Sequence, residues 1–444
     1  MVAIQSGADA RGAAGGGFFL TGFWGVPNFG DEWLLRSAVG FLEGRYPRCR
    51  ITALVRSVAV ERRLGVPPGR AELRPGFFPD PAFFHHMPRL LADIRSADLV
   101  LIGGGGLITD RYTALSVPRY AVPALLGLAL GVPVVWWGLG VVPPRAFLLR
   151  RLAFATLRHS TRVLVRDPTS RRTLRAAGVP ARLSHDLSAL SPPSPAVVTS
   201  RGTVAINFRD ATPTLAEGRR AFLLSCAARF EEVLLVAAEA GDEALYAAIL
   251  NEIAEIHPQA AARLAIIPAT DLGAIQHALS RAAMVVSERL HVSLHALGAG
   301  IPTVVLSYED KIDSVITRLY PGTGIVPRER FWGEVKVRDV AQPSVAEFCA
   351  IDPEVLATGL AAELDRAAAT RPRWAARGTA MLWLAALLPV GALAATLIGV
   401  RRGLREALQR ARKAAMPSRH ADQPVTRTMR ATDGTPSASM ANSR

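Results

Sequence analysis

The densest chemistry in the sequence lies in Ser287-Glu288-Arg289-Leu290-His291, with His295 one helical turn on and Ser307-Tyr308-Glu309-Asp310-Lys311 beyond it. A short apolar run, Met284–Val286, leads in, and the pattern from His291 to Ala299 is helical, so the cluster sits where a strand hands over to a helix. Arg289 and His291 are two apart across that turn and can face one ligand, with His295 on the same helical face as His291. A Glu-Arg-x-His cluster at a strand–helix junction, with a Tyr/Asp/Lys cluster after the next strand, points to a functional site. Tyr308 and Lys311 add a phenol and an ammonium after the next strand. His291 and His295 have the HxxxH spacing, but no third ligand or HExxH glutamate accompanies them, so no metal is expected.

Three earlier motifs also follow apolar runs. The first is Gly22-Phe-Trp-Gly25-Val-Pro-Asn28-Phe-Gly30-Asp31-Glu32. Asn28 or Asp31 can cap the helix that follows, whose free N–H groups favour an anion. The second is Gly103-Gly104-Gly105-Gly106-Leu-Ile-Thr109-Asp110. Gly104 and Gly105 can bring backbone N–H groups against a phosphate or carboxylate, and Asp110 becomes a candidate general base. The third, Arg166-Asp167-Pro168, puts a guanidinium at a strand end, where it can clamp the same kind of anion. His185-Asp186 is a weaker site of the same kind. Each motif also has a plain reading: a strand–turn–helix connection, a close-packed glycine turn, and an Asp167 that caps the next helix and pairs with Arg166.

These motifs need strands that end together, and the chain supplies them. Apolar strands at 18–21, 51–55, 98–102, 132–138 and 163–165 alternate with helical patterns at 31–44, 89–95, 117–130, 145–159 and 168–177. A second series of strands, at 203–208, 233–237, 264–267, 284–286 and 302–306, alternates with helices in the same way. The fold class is therefore α/β, two doubly wound Rossmann-like domains with parallel sheets covered on both faces. Ligands of such sheets bind outside the carboxyl ends of the strands, where every motif above lies. Residues 1–17 read as a loose leader without a signal-peptide core, 18–190 as the first domain, 191–202 as a Pro- and Ser-rich linker and 203–370 as the second domain. Residues 371–415 read as an apolar and basic helical segment, and 416–444 as a disordered tail.

The chain has 444 residues, half of them hydrophobic, and a formal net charge of +15. Nucleic acid is excluded as a partner by the charge distribution: residues 401–444 hold ten Lys or Arg against three acids, and no nucleic-acid motif with interleaved aromatics occurs. The three cysteines, Cys49, Cys226 and Cys349, have neither zinc nor disulfide spacing, which fits the cytoplasm. Thr379–Val400 carries no charge over 22 residues and is flanked by Arg371, Arg373, Arg377, Arg401, Arg402 and Arg405. It is long enough to cross a bilayer or to lie in its interface, so the chain is expected at the inner face of the cell membrane. Trp24, Trp136, Trp137 and Trp332 are candidates to line an acceptor site or to fill the cores.

Taken in order, G-x-x-G-x-x-N-x-G-D-E, the glycine run, Arg166-Asp167 and S-x-R-L-H…G-I-P…S-Y-x-x-K resemble the polysaccharide pyruvyl transferase family over about Phe18 to Tyr320. The resemblance implies two Rossmann-like domains in a GT-B-like arrangement and phosphoenolpyruvate as donor, with no cofactor. The implied product is a cyclic pyruvate ketal on a glycan or lipid-linked saccharide. By motif, Arg289 and Arg166 would bind the donor's carboxylate and phosphate, His291 would protonate its methylene carbon, and Asp110 or Asp31 would take the hydroxyl proton. Asn28, Gly104, Gly105, His295, Tyr308 and Lys311 complete the expected substrate contacts. Glu288 stands where the family often has Met or Gly, and could compete for Arg289. The rival readings are a GT-B glycosyltransferase using a nucleotide sugar, and a non-catalytic membrane-tethered subunit of glycan assembly.

Overall fold

The computed structural model describes residues 16–57, 71–191, 193, 202–209, 212–334 and 352–415. Most of the expected leader and linker, all of the tail, and Lys336 and Cys349 lie outside the described residues.

Seven strands form the first sheet: β1 (Gly17–Thr21), β2 (Arg50–Val55), β3 (Glu72–Pro75), β4 (Leu99–Ile108), β5 (Val134–Val141), β6 (Arg162–Val165) and β7 (Arg182–Leu183). Their order is β3-β2-β1-β4-β5-β6-β7, every pair parallel. Side chains alternate between faces, so Phe19, Val100, Ile102 and Trp136 enter one core while Phe18, Leu99, Leu101 and Trp137 enter the other. The second sheet holds β8 (Thr203–Asn207), β9 (Glu232–Val236), β10 (Leu264–Ile267), β11 (Met284–Ser287), β12 (Thr303–Ser307) and β13 (Ile325–Pro327). Its order, β10-β9-β8-β11-β12-β13, is again parallel throughout. Each order reverses once, between β1 and β4 and between β8 and β11. Such reversals splay the following loops and open a crevice.

The two halves are fastened by the first helix, Phe29–Arg45. Its Phe29 and Trp33 belong to the second domain's core, beside Leu290, Leu294 and Leu297. The Phe29 N–H donates to the Ala238 carbonyl after β9, at 2.8 Å. The start of a first-domain helix is thereby fixed against the second domain.

Two sequence expectations change. The glycine run is no loop after a strand: β4 continues through Gly103–Gly106 to Ile108, pairing with β5 and bulging between Gly105 and Ile108. Gly104 and Gly105 hold φ of +79° and +100°, a backbone that other residues rarely adopt, and this is what lets the strand bend. The second-domain boundary at 370 also fails. Helix Pro353–Ala368 returns to the first domain, burying Leu360, Ala361, Leu364 and Ala367 in the core that holds Phe18 and Trp137. Tyr46 Oη donates to Asp365 Oδ1 at 2.8 Å, and Glu363 pairs with Arg162 and Arg182.

Helix Trp374–Ala415 follows. Up to Thr396 it belongs to the main body, and from Leu397 the chain forms a separate unit. Ala376, Ala380 and Leu384 join the first-domain core that holds Phe78, Phe83 and Tyr120, while Trp374, Leu382, Val390 and Leu393 stay exposed.

Candidate active site

Asp186 stands at the centre of the crevice with no side-chain exposure. Arg166 Nη1 donates to its Oδ2 at 2.7 Å, and the Ser188 N–H donates to its Oδ1 at 3.1 Å. His291 Nε2 lies 3.5 Å from the same Oδ1. At that separation the pair is an electrostatic contact, longer than an ordinary N–H···O bond. Burial pushes Asp186 up, but His291, Arg166 and the Ser188 N–H together pull it well below the usual carboxylate range. Asp186 therefore keeps its charge, and His291 faces a fixed anion.

His291 lies directly on the start of helix Phe29–Arg45. A Cβ at Gly30 would stand 2.1 Å from His291 Nδ1, so glycine is needed for this approach. Asn28 Oδ1 caps the helix, accepting from Gly30 N at 3.1 Å and Asp31 N at 3.2 Å, and Asn28 Nδ2 reaches Glu239 Oε2 at 3.5 Å. Asp31 is next along this turn. Burial raises it, His291 and Arg166 pull it down, Glu239 and Asp186 push it up, and the balance leaves it at about 7. Its neighbours in that balance define the site: one histidine, one arginine and two carboxylates, drawn from both domains.

Arg289 enters from the end of β11. Its backbone N–H is held by Asn207 Oδ1 and Ser287 Oγ, both at 3.1 Å. Its guanidinium is shared by Glu239 and by Asp242 Oδ1, the latter at 2.5 Å. The capping box of helix Ala240–Ile256 supplies both carboxylates, with Glu239 as its N-cap. A second basic group surrounds Tyr308: Arg209 donates to its hydroxyl, and the Arg209 and Arg328 guanidinium carbons lie 4.7 and 5.3 Å from the ring centroid. Lys311 Nζ pairs with Glu309 Oε2 at 2.8 Å, which Arg111 of the first domain approaches at 3.6 Å.

Several expected residues fall elsewhere. His295 is 4% exposed, edge-on to Phe29 and Trp33, and burial pushes it down to about 4, so it is a neutral core residue. Asp110 Oδ2 accepts from the Ala146 N–H at 2.9 Å; the N–H groups of Ala146 and Arg145 hold it low, and no described contact joins it to His291. Asp167 caps helix Pro168–Ala176 through Ser170, whereas Arg166 turns to Asp186. Trp24, Trp136, Trp137 and Trp332 are all buried, so they fill the cores and do not line an acceptor surface.

Glu288 does not compete for Arg289. Its carboxylate is fully buried on the opposite side of the segment, accepting from Arg219 Nη2 at 2.9 Å, Trp332 Nε1 at 2.6 Å and the Arg209 N–H at 3.2 Å. Arg219 itself is 1% exposed. Glu288→Ala should therefore cost about 3–5 kcal/mol of stability by leaving a buried guanidinium without its carboxylate. Denaturant midpoints measure this; a variant as stable as the parent would refute the assignment.

Glu239 and Asp242 carry no local signal in the sequence and read as an ordinary helix start. Asp186 was visible only as half of a weak His-Asp pair. Its neighbour His185 is pushed down to about 4 by burial and by Arg318, and its Nε2 accepts from Arg318 Nη2 at 2.8 Å, joining the two domains.

Solved structures with this fold include Anabaena Alr3699/HepE in complex with UDP and glucose (12% identity, TM-score 0.50, 79% of this chain and 99% of that one). UDP-GlcNAc 2-epimerase from Neisseria meningitidis, bound to UDP-GlcNAc, superimposes with a TM-score of 0.52 at 11% identity, over 79% of this chain and 100% of that one. These likenesses establish a GT-B-like pair of α/β domains and nothing about substrate. No curated protein matches the chain. The family model for polysaccharide pyruvyl transferase matches residues 28–310, from the Asn28 cap through Arg166, Asp186, Arg289 and His291 to the start of the Tyr308 cluster. The chain belongs to the polysaccharide pyruvyl transferase family.

Proposed function

We propose that the protein transfers the pyruvyl group of phosphoenolpyruvate to two hydroxyls of a cell-envelope or exopolysaccharide sugar, releasing phosphate and leaving a cyclic ketal. The observation that carries this reading is His291, set between the fixed charge of Asp186 and the raised carboxyl of Asp31. Phosphoenolpyruvate is compact and highly anionic, and Arg166 and Arg289 offer guanidinium groups for its carboxylate and phosphate. The imidazolium of His291 donates a proton to the methylene carbon, which becomes a methyl group. A sugar hydroxyl adds to C2 as Asp31, its proton lost, accepts the hydroxyl proton. The bond from C2 to the phosphate oxygen then breaks, the second hydroxyl adds to C2 and closes the ring, and its proton leaves with the departing phosphate as hydrogen phosphate. Asp31 serves as base in this scheme because the Asp110 carboxylate is engaged by Ala146. Tyr308, Lys311 and the Gly104–Gly105 bend border the donor and acceptor.

The helix Trp374–Ala415 supports a membrane seat for this enzyme on the cytoplasmic face. It is long and apolar enough to cross a bilayer. Because its Ala376–Leu384 face is packed on the first domain, an in-plane position is the better fit, with Leu382, Val390 and Leu393 turned to lipid.

The test is to incubate the full chain with phosphoenolpyruvate and lipid-linked or synthetic saccharides, following phosphate release together with the ketal methyl signal. His291→Ala should lower turnover by about 10²–10⁴-fold, the range for loss of a general acid. Full turnover in that variant would refute the acid assignment. Thermal stabilisation by a nucleotide sugar, with no phosphate released from phosphoenolpyruvate, would favour the glycosyltransferase reading.

A further inference from the structure

The first domain carries a second apolar and basic surface, far in sequence from its C-terminal helix. Phe147 and Leu148 open helix Phe147–His159 with 58% and 69% exposure. Scattered apolar side chains on a surface are ordinary. Two large ones side by side, at the start of a helix and among exposed arginines, form a patch. Arg145 precedes them; Arg150 and Arg151 follow one turn on, all three exposed. The Arg151 guanidinium carbon lies 5.4 Å from the Phe147 ring centroid.

Arginine dominates the charge around this patch, and Asp110, bonded to the Ala146 N–H, is an acid set beside it. No acidic residue occurs between Asp110 and Asp167, a stretch that holds eight arginines. The C-terminal helix repeats the composition: no acid occurs between Asp365 and Glu406, and its exposed Trp374, Leu382, Val390 and Leu393 come with Arg371, Arg373 and Arg377. A protein partner normally meets a surface of mixed charge and defined shape. Exposed apolar side chains beside Arg145, Arg150 and Arg151, which outnumber Asp110, fit the headgroup layer of an anionic bilayer.

Its place in the fold gives the patch a use. Val142 N donates to the Ile108 carbonyl at 3.0 Å, and Ala146 N donates to Asp110 Oδ2 at 2.9 Å. The helix therefore starts at the carboxyl edge of the first sheet, the edge that also carries the glycine bend and the Asn28 cap.

We propose that the start of helix Phe147–His159 is a lipid-contacting surface that seats the mouth of the cleft on an anionic membrane. Phe147 and Leu148 enter the headgroup layer, and Arg145, Arg150 and Arg151 meet lipid phosphates. This rests on the membrane seat proposed above and deepens it: the open edge of the site, not only the C-terminal helix, meets the leaflet that would hold a lipid-linked acceptor.

Flotation of the full-length protein with vesicles tests it, using phosphatidylcholine alone and phosphatidylcholine mixed equally with phosphatidylglycerol. Phe147→Ser/Leu148→Ser should lower partitioning onto the mixed vesicles by about fivefold or more. Arg145→Gln/Arg150→Gln/Arg151→Gln should lower it by about tenfold or more at low salt, with little change on phosphatidylcholine alone. Unchanged melting temperatures establish that these surface variants fold. If both variants float like the parent while Leu382→Ser/Val390→Ser does not, this patch is refuted and the seat of the C-terminal helix stands. If the parent does not float, both are refuted. Binding of the parent to an acidic protein but not to vesicles also counts against a lipid surface.

Discussion

Asp186→Asn is expected to lower turnover by about two to three orders of magnitude, close to the loss of His291 itself. Asparagine keeps the shape of the side chain and removes its charge. The parent carboxylate is fully buried, held ionised by His291, Arg166 and the Ser188 N–H, and lies 3.5 Å from His291 Nε2. Without it His291, the proposed acid, faces no fixed counter-charge, and Arg166, only 3% exposed, loses its partner. The second loss carries a stability cost on the order of 3 kcal/mol. Linkage gives this cost a pH signature. A carboxyl depressed in the folded state contributes stability above its unfolded pKa, near 4, and loses it as pH falls toward the folded value. The parent should therefore lose stability on acidification more steeply than the asparagine variant. Catalysis separates from folding in the kinetics: at saturating donor, kcat of the folded variant falls. A variant that is less stable but retains the parent's kcat would reduce Asp186 to a structural role.

What the sequence disclosed and what it hid follow from the distance over which each feature is set. The parallel strands were legible because burial on both faces makes them short apolar runs, and the helix that begins at Leu290 followed from its period. The run Gly103–Gly106 was misplaced for a local reason. Glycine is rare in strands, so it read as a loop, yet pairing with β5 carries the strand onward and the positive φ values bend it in place. Glu288 shows the reverse case. It adjoins Arg289 in sequence, but neighbours in an extended segment point to opposite sides, so one reaches Arg219 and Trp332 in the core and the other Glu239 and Asp242 at the cleft. The same alternation sends Trp136 and Trp137 into different cores.

The hidden residues are those whose meaning depends on partners distant in the chain. Asp186 meets Arg166 and His291, 20 and 105 positions away, and Arg289 meets Glu239 and Asp242 across 50 and 47. No local pattern marks such pairs. The carboxylates matter because they hold the site's cations in place before any anionic donor arrives. Under the proposed function, a donor at Arg289 would meet a guanidinium already shared by two carboxylates and would compete with Glu239 and Asp242 for it. Arg166 is likewise committed to Asp186. Donor affinity is thus a difference between two sets of charge-assisted bonds, and its salt and pH dependence should be read in those terms.

Asp31→Asn carries the other large effect, with opposite signs in rate and stability. Burial raises the parent carboxyl to about 7, so it exchanges its proton in the range where a base for a sugar hydroxyl is useful. Asparagine cannot accept that proton, and kcat should fall by about 10²-fold or more above pH 7. The parent rate should rise with pH through about 7 as Asp31 ionises, and this limb should vanish in the variant. Stability moves the other way. A carboxyl whose folded pKa is raised stabilises the fold fully below its unfolded value, near 4, and this contribution is lost as pH climbs through the folded value. Asparagine is neutral throughout. The variant should match the parent near pH 4 and exceed it at pH 8, by on the order of 1–3 kcal/mol because Asp31 is only partly shielded from water. Chemical denaturation at the two pH values, beside a pH–rate profile, measures both. Lower stability than the parent at pH 8 would mean that the ionised carboxylate is welcome where it sits, and the raised pKa and the base role would fall together.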